Sequence, residues 1–138
     1  MSAALAVRDG ASPRMPGALS SIPMPIEIVS APIQLDELRR MAREQFGDFV
    51  KAVADVRQGL IAIGGELHSD EEAVLLQHGA RPADLWGVNL YPDRSAAEFI
   101  EFDSMINIRP SQGNRSRGVE DSVVQRQIRD IVARLVVR

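Results

Sequence analysis

The chain has 138 residues, of which 45% are hydrophobic, and its formal net charge is −3. This length allows one domain with one substantial core, and the weak negative charge argues against a protein that coats nucleic acid or an anionic membrane surface. The absence of cysteine excludes a disulfide framework and a cysteine zinc site. A membrane-spanning helix needs about 20 consecutive apolar residues, and every apolar run of this chain is far shorter.

The first 24 residues differ in composition from the rest of the chain. They combine prolines with small residues and show no helical or strand periodicity. We therefore predict that residues 1–24 are a disordered extension and that residues 25–138 form a single α/β domain. The apolar start of the chain is too short for a signal-peptide core and no basic residue precedes it, which predicts a cytoplasmic protein.

From Ile26 onward, short segments of strand and helix periodicity follow one another. They predict strands at 26–29, 49–56, 60–67, 86–91 and 99–109, and helices at 34–46, from Ser69 to Gly79, and from Asp121 or Ser122 to the end. Ser69 and Glu72 have the spacing of a capping box. The order is β-α-β-β-α-β-β-α. Because the strands are joined by short links, we expect an α/β fold of the α+β type, with a mostly antiparallel sheet and helices on one face.

The strand predicted at 99–109 alternates between apolar and polar residues. Alternate side chains point to opposite faces of a sheet, so one face of this strand belongs to the core. The other face carries Glu101, Asp103, Asn107 and Arg109. By the same alternation, neighbouring strands add Glu66, His68, Asn89 and Tyr91. The sequence thus predicts a polar face on the sheet.

Three stretches of the sequence carry a resemblance to a known family. They are GGELHSDEEAVLL, DLWGVNLYP and EFDSMINIRPSQGNRSRGVED. Together they resemble a small prokaryotic family catalogued as a domain of unknown function, over roughly residues 26–137. The resemblance implies no activity and no site residues.

Glu66, His68 and Asp70 stand at alternate positions and form the first candidate site. Two carboxylates and an imidazole at this spacing are able to hold one divalent metal ion. The alternative is structural: the acidic residues favour the N-terminus of the following helix, and His68 ends a strand.

The segment from Arg109 to Gly118 is the second candidate site. It offers a dense set of donors just before the N-terminus of the last helix, where free backbone amides favour an anion. The predicted ligand-binding residues are Asn107, Arg109, Asn114, Arg115, Ser116 and Arg117. Alternatively, these arginines pair with nearby carboxylates and only anchor the loop.

These sites support two functions, and the sequence leaves open whether the protein is an enzyme. The first is a binding or regulatory module that recognises a small phosphate or carboxylate ligand through the Arg109–Arg117 loop. The second is metal-assisted phosphoester hydrolysis by Glu66, His68, Asp70 and Asp103, with His68 and Asp103 as the candidate catalytic residues. A third possibility is that the polar face forms a homo-oligomer interface.

Overall fold

A computed structural model of the protein describes residues 5–8 and 25–138, the first of these ranges by its backbone only. Within those ranges the strands are β1 Leu5–Arg8, β2 Ile26–Val29, β3 Ile33–Gln34, β4 Val50–Asp55, β5 Leu60–Ile63, β6 Leu85–Leu90, β7 Ile100–Glu101 and β8 Val136–Val137. The helices are α1 Leu35–Glu44, α2 His68–Gln77 and α3 Ser122–Leu135. No helix in these two ranges has both the length and the apolar character needed to cross a membrane.

The larger sheet has six strands in the order β1-β2-β5-β4-β6-β7. All its pairings are antiparallel except that of β1 with β2, and β3 and β8 form a separate parallel pair. The predicted α+β class with a mostly antiparallel sheet is confirmed. Strand β1 falls within the segment 1–24, for which we predicted disorder, and the remainder of that segment lies outside the described residues.

The helices cover both faces of the sheet. On one face, α1 and α3 bury Leu38, Met41, Ile128 and Leu135 against the sheet. On the other face, α2 packs against the sheet through Val74 and Leu75, together with residues such as Ile28 and Val53. The prediction that all helices lie on one face was therefore wrong, because the apolar side chains of β4 and β5 point to both sides.

The start of α2 also differs from the prediction. The second hairpin strand ends at Ile63, because Gly64 has φ of 99° and turns the chain away from the sheet. The helix then begins at His68 with Leu67 as its N-cap, and no side chain caps it. The Ser69–Glu72 capping box was therefore wrong. By contrast, α3 is capped as predicted: the Asp121 carboxylate accepts a hydrogen bond from the Val123 amide.

The long strand predicted at 99–109 is reduced to the two residues of β7. After Asp103 the chain forms a 3-10 turn at Met105–Asn107, capped by Ser104, and a second at Pro110–Gln112. The strand ends because the side chain of Asn107 occupies the place beside β6 that its backbone would take. The prediction of strict alternation over 99–109 was thus wrong, and Asn107 and Arg109 do not follow it.

Candidate functional site

A row of polar side chains crosses the sheet on the face that α2 covers only in part. Lys51 of β4 lies directly opposite Asn89 of β6, and Asn89 lies opposite Glu101 of β7. Directly opposed residues in an antiparallel sheet share a face. We call this row, together with His68, Asp103 and Arg117 beside it, the polar face.

Glu101 is held by two donors. Its Oε1 accepts hydrogen bonds from Asn89 Nδ2 at 2.9 Å and from the Tyr91 hydroxyl at 3.0 Å. The pKa of Tyr91 is raised, first by burial and then by this bond to Glu101. Asn89 Oδ1 is buried and accepts no hydrogen bond from the described residues. A buried amide oxygen normally accepts a hydrogen bond, so the Oδ1 of Asn89 is an available acceptor at the polar face.

His68 is the first residue of α2 and is buried. Its Nε2 lies 2.8 Å from the carbonyl oxygen of Val88. A carbonyl can only accept, so Nε2 carries the proton and Nδ1 is the unprotonated nitrogen of the neutral ring. Burial lowers the pKa of His68, and the charges of Lys51 and Arg117 lower it further. The ring is therefore held neutral, with Nδ1 as a proton acceptor.

Gly87 makes room for His68 in the middle of β6. A side-chain carbon at position 87 would lie 2.5 Å from Ser104 Oγ and 3.2 Å from His68 Cγ. A real Cβ atom essentially never lies within 3.0 Å of a non-bonded heavy atom, so a side chain here would displace Ser104 and would crowd His68. The glycine thus positions the imidazole against Val88.

Asp103 and Arg117 form the outer edge of the polar face. The Arg117 Nε donates to Asp103 Oδ1 at 2.6 Å, and both side chains are about half exposed. This bond raises the pKa of Arg117. Both residues also influence the His68 ring: Asp103 raises its pKa and Arg117 lowers it. The structure therefore brings together His68, Asp103 and Arg117, which the sequence had placed in two separate candidate sites.

Glu71 lies beneath the polar face and is fully buried. Its Oε2 accepts a hydrogen bond from the Gly65 amide at 3.0 Å, whereas its Oε1 has no partner among the described residues. Burial raises the pKa of Glu71 well above its usual value, although Gly65 and Lys51 oppose the shift. A buried carboxyl with a single partner favours the neutral acid.

The predicted metal-binding set does not assemble. Glu66 and Asp70 are exposed, whereas His68 is buried and turns its Nε2 to a backbone carbonyl. In the described part of the chain, no group of three or more histidine or acidic side chains is placed to hold a metal ion. The early end of β5 explains this outcome, since residues 66–70 leave the strand and start a helix, where alternate residues do not share a face.

Two of the predicted ligand-binding residues are buried and hold the loop together. Asn107 bonds to both the amide and the carbonyl of Gly87, at 2.8 and 3.0 Å, and also donates to the Arg117 carbonyl. The Asn114 Nδ2 donates to the carbonyl oxygens of Asn107, Ser116 and Gly118. These side-chain amides bond to backbone groups that would otherwise pair with a neighbouring strand.

Arg109 is likewise part of the framework. Its guanidinium donates to the carbonyl oxygens of Pro82 and Leu85 and lies 4.0 Å from the ring centroid of Trp86. Burial lowers the pKa of Arg109. The side chain therefore ties the loop to the start of β6 and is not directed to solvent.

Two backbone amides of the predicted anion-binding loop are occupied by Glu120. Its Oε2 accepts hydrogen bonds from the backbone amides of Arg115 and Ser116, at 3.0 and 2.8 Å. The hydrogen bonds from Ser116 are the main reason that the pKa of Glu120 is lowered. Consecutive amides of this kind are an anion-binding arrangement, and here the anion is an internal carboxylate.

Sequence reasoning missed Lys51 and Glu71. Lys51 is the only lysine in the chain and interrupts the apolar run from Phe49 to Ala54, a signal that was present in the sequence. Glu71 gave no comparable signal, because an acidic residue in the first turn of a helix is ordinary. Its burial depends on the close approach of Gly65, where an added side-chain carbon would lie 2.8 Å from Glu71 Cγ.

Comparison with known proteins gives a family match for most of the chain. Residues 27–135 match the family described as Protein of unknown function (DUF5674). No curated protein and no solved structure matches the chain.

Proposed function

Since the chain belongs to this family of proteins of unknown function, we propose its function from the site alone: it is a small binding module that recognises a phosphate or carboxylate group at the polar face. The observation that carries this proposal is the environment of Lys51. Lys51 is half-buried, and its ammonium lies 5.4 Å from the ring centroid of Phe46 and makes no hydrogen bond or salt bridge with any described residue. A cation in this position is available to an anionic ligand.

The surrounding charges favour the same ligand class. Arg117 adds a second cation, and its pairing with Asp103 is exposed to solvent and therefore weak, so a ligand can replace Asp103. The raised pKa of Glu71 reduces the negative charge beneath the site. His68 adds a neutral ring whose Nδ1 can take up a proton when an anion binds. Lys51, Arg117 and a protonated His68 would supply the positive charge for a phosphate, against the two carboxylates of the polar face, Glu101 and Asp103.

The Arg109–Arg117 loop contributes less than its sequence suggested. Arg109 is anchored in the framework, and the amides of Arg115 and Ser116 already hold Glu120. A cleft of about 370 Å³ lies beside the loop and includes Arg57 and Arg81. It is also lined by three acidic residues, Asp84, Glu120 and Asp121. Its acidic residues outnumber its arginines, whereas Lys51 and Arg117 of the polar face equal the carboxylates there in number, and we assign recognition to the polar face.

Backbone amide NMR spectra during titration with inorganic phosphate and with acetate test the proposal. We expect shifts at Lys51, His68 and Arg117 that are lost in Lys51→Met, which removes the charge and keeps the stem. Arg43→Met is the matched control, because Arg43 is an exposed cation on α1. The proposal is overturned if Lys51→Met binds as the wild type does. Loss of binding in Arg115→Ala alone would assign the ligand to the loop instead.

The other two functions considered from the sequence make different predictions. Metal-assisted hydrolysis needs a cluster that the described residues do not form. An interface formed by the polar face predicts a dimer that dissociates in Lys51→Met, without any response to phosphate. Light scattering on the NMR samples measures the mass and so separates an interface from a ligand site.

A further inference from the structure

A second depression lies on the opposite face of the sheet, between the C-terminal half of α3, β8 and the start of β7. It has a volume of about 550 Å³ and is lined by eight apolar residues and two arginines. We propose that this groove binds a small amphipathic carboxylate, such as a medium-chain fatty acid. This inference does not depend on the polar face, because it uses different residues on the other side of the molecule.

The charges at the groove fit a carboxylate head group. Arg129 and Arg138 are the charged residues of its lining, which contains no acidic side chain. Their guanidinium carbons lie 5.0 Å from the ring centroid of Phe102 and 5.9 Å from that of Phe99. Neither guanidinium has a hydrogen bond or salt bridge to a described residue, and arginine pairs well with carboxylates. The head group has two cations without a competing internal partner.

The apolar lining fits a narrow tail. Leu35, Phe99 and Val132 are buried, and Ile100 is half-buried, so the apolar atoms are recessed between the elements. The exposed large hydrophobic residues of the described chain all lie elsewhere, for example at Leu67 and Met105. A protein partner needs a protruding or contiguous apolar patch, whereas a recess of about 300–1,000 Å³ is typical of small-molecule sites. The geometry therefore favours a small ligand over a protein surface.

Isothermal titration with decanoate, kept below its micelle concentration, tests the proposal, with decanol as the uncharged analogue. We expect decanoate to bind and Arg129→Gln to weaken it about tenfold, the effect of losing roughly 1.4 kcal/mol from a charge-assisted contact. Arg126→Gln is the matched control, since Arg126 is exposed on the same helix but does not line the groove. Ala133→Trp, at an exposed position inside the groove, should abolish binding by filling it.

Each outcome decides the proposal. Weaker binding in Arg129→Gln with no change in Arg126→Gln supports it, and the melting temperatures of both variants show that the fold is intact. Equal affinity for decanoate and decanol would overturn the recognition of the carboxylate. Absence of decanoate binding, or binding that persists in Ala133→Trp, would overturn the groove as the site.

Discussion

Asn107 shows how single amides replace regular pairing at the edge of the sheet. Strand β7 pairs with β6 only at Asn89 and Leu90, so it ends before Gly87. The side chain of Asn107 then provides Gly87 with both a donor and an acceptor, as a neighbouring strand would. This arrangement holds the segment that carries Asp103 and Arg117 against the sheet, so the polar face depends on it.

Substitution of Asn107 by alanine is therefore expected to destabilise the whole region. It leaves the amide and the carbonyl of Gly87 without their side-chain partner, whereas the carbonyl of Arg117 keeps its hydrogen bond from the Ser104 amide. Each buried group left unsatisfied costs about 1–3 kcal/mol, so we expect a loss of about 2 kcal/mol or more from these two groups. Urea denaturation measures it, with Ser111→Ala as a control at an exposed position of the same loop. A loss below about 1 kcal/mol would show that water or a shifted backbone replaces these bonds.

Glu71 predicts a specific pH dependence of stability. Its pKa in the folded protein lies well above the usual value of 4.5, because burial penalises the carboxylate. The folded state therefore binds the proton more tightly than the unfolded state, and this contribution is lost as the pH rises from about 4.5 through the folded pKa. Glu71→Gln keeps the shape and removes the titration. We expect it to be more stable than the wild type at high pH and to show a flatter profile between pH 5 and 8.

Chemical denaturation at several pH values provides the comparison. Glu66→Gln is the control, because Glu66 is an exposed acid five residues away and should leave the wild-type profile unchanged. If the stability that Glu71→Gln loses relative to the wild type grows as the pH rises, the carboxylate itself is the stabilising form in the folded protein. The proposal of reduced negative charge beneath the polar face would then need revision.

At the scale of elements, the start of α2 is the least expected feature. The helix has no side-chain cap, and its N-cap Leu67 is 53% exposed with an extended backbone that suits a capping residue. Leu67→Ser should therefore stabilise the protein by about 0.5–1 kcal/mol, through a hydrogen bond from the serine oxygen to a free amide of the first turn. Thermal denaturation with Ser69→Ala for comparison checks this prediction. If Ser69 caps the helix after all, Ser69→Ala would cost about 1 kcal/mol and Leu67→Ser would bring no gain.

Elements with a clear period and a clear stop were predictable from the sequence. The apolar positions of α1 and α3 repeat at helical spacing, and Gly47 and Asp121 mark an end and a start that the structure confirms. The pairing of β4 with β5 followed from their short link. These signals are local, so the residues that determine them are neighbours in sequence.

The errors come from contacts between residues far apart in sequence. The strand at 99–109 alternates well, but Asn107 bonds to Gly87 twenty residues away and ends the pairing. The glycine at position 64 approaches the Pro25 carbonyl, which sets the end of β5. Of the candidate site residues, His68, Asp103 and Arg117 do come together, while Asn107, Arg109 and Asn114 serve the framework. The alternation of polar and apolar residues in the sequence does not distinguish the residues that meet at the polar face from those that hold the framework.

At the scale of the whole molecule, one sheet separates two apolar clusters of different extent. The cluster beneath α1 and α3 is the larger of the two and contains residues of β4, β5 and β6. The cluster beneath α2 covers the part of the sheet around Ile28, Val53 and Leu85, and the polar face occupies the part beyond it. The larger cluster stabilises the sheet, so the smaller side can accommodate a buried acid, a neutral histidine and an amide oxygen without a partner.

Among the described side chains, the core begins at Ile26 on one side of the sheet and at Val29 on the other, and we predict that residues 25–138 fold without the preceding segment. Removal of residues 1–24 takes away the backbone pairing of β1 with β2, while β2 keeps its pairing with β5. We expect cooperative two-state unfolding and a decrease of Tm of no more than about 5 °C, which roughly 1 kcal/mol produces in a domain of this size. The loss of stability of Leu38→Ala in the full chain is the reference for this comparison. Truncation of a fully buried leucine costs about 2–5 kcal/mol. If the shortened chain loses as much stability as Leu38→Ala, or unfolds without cooperativity, the first segment belongs to the domain and the boundary at residue 25 is wrong.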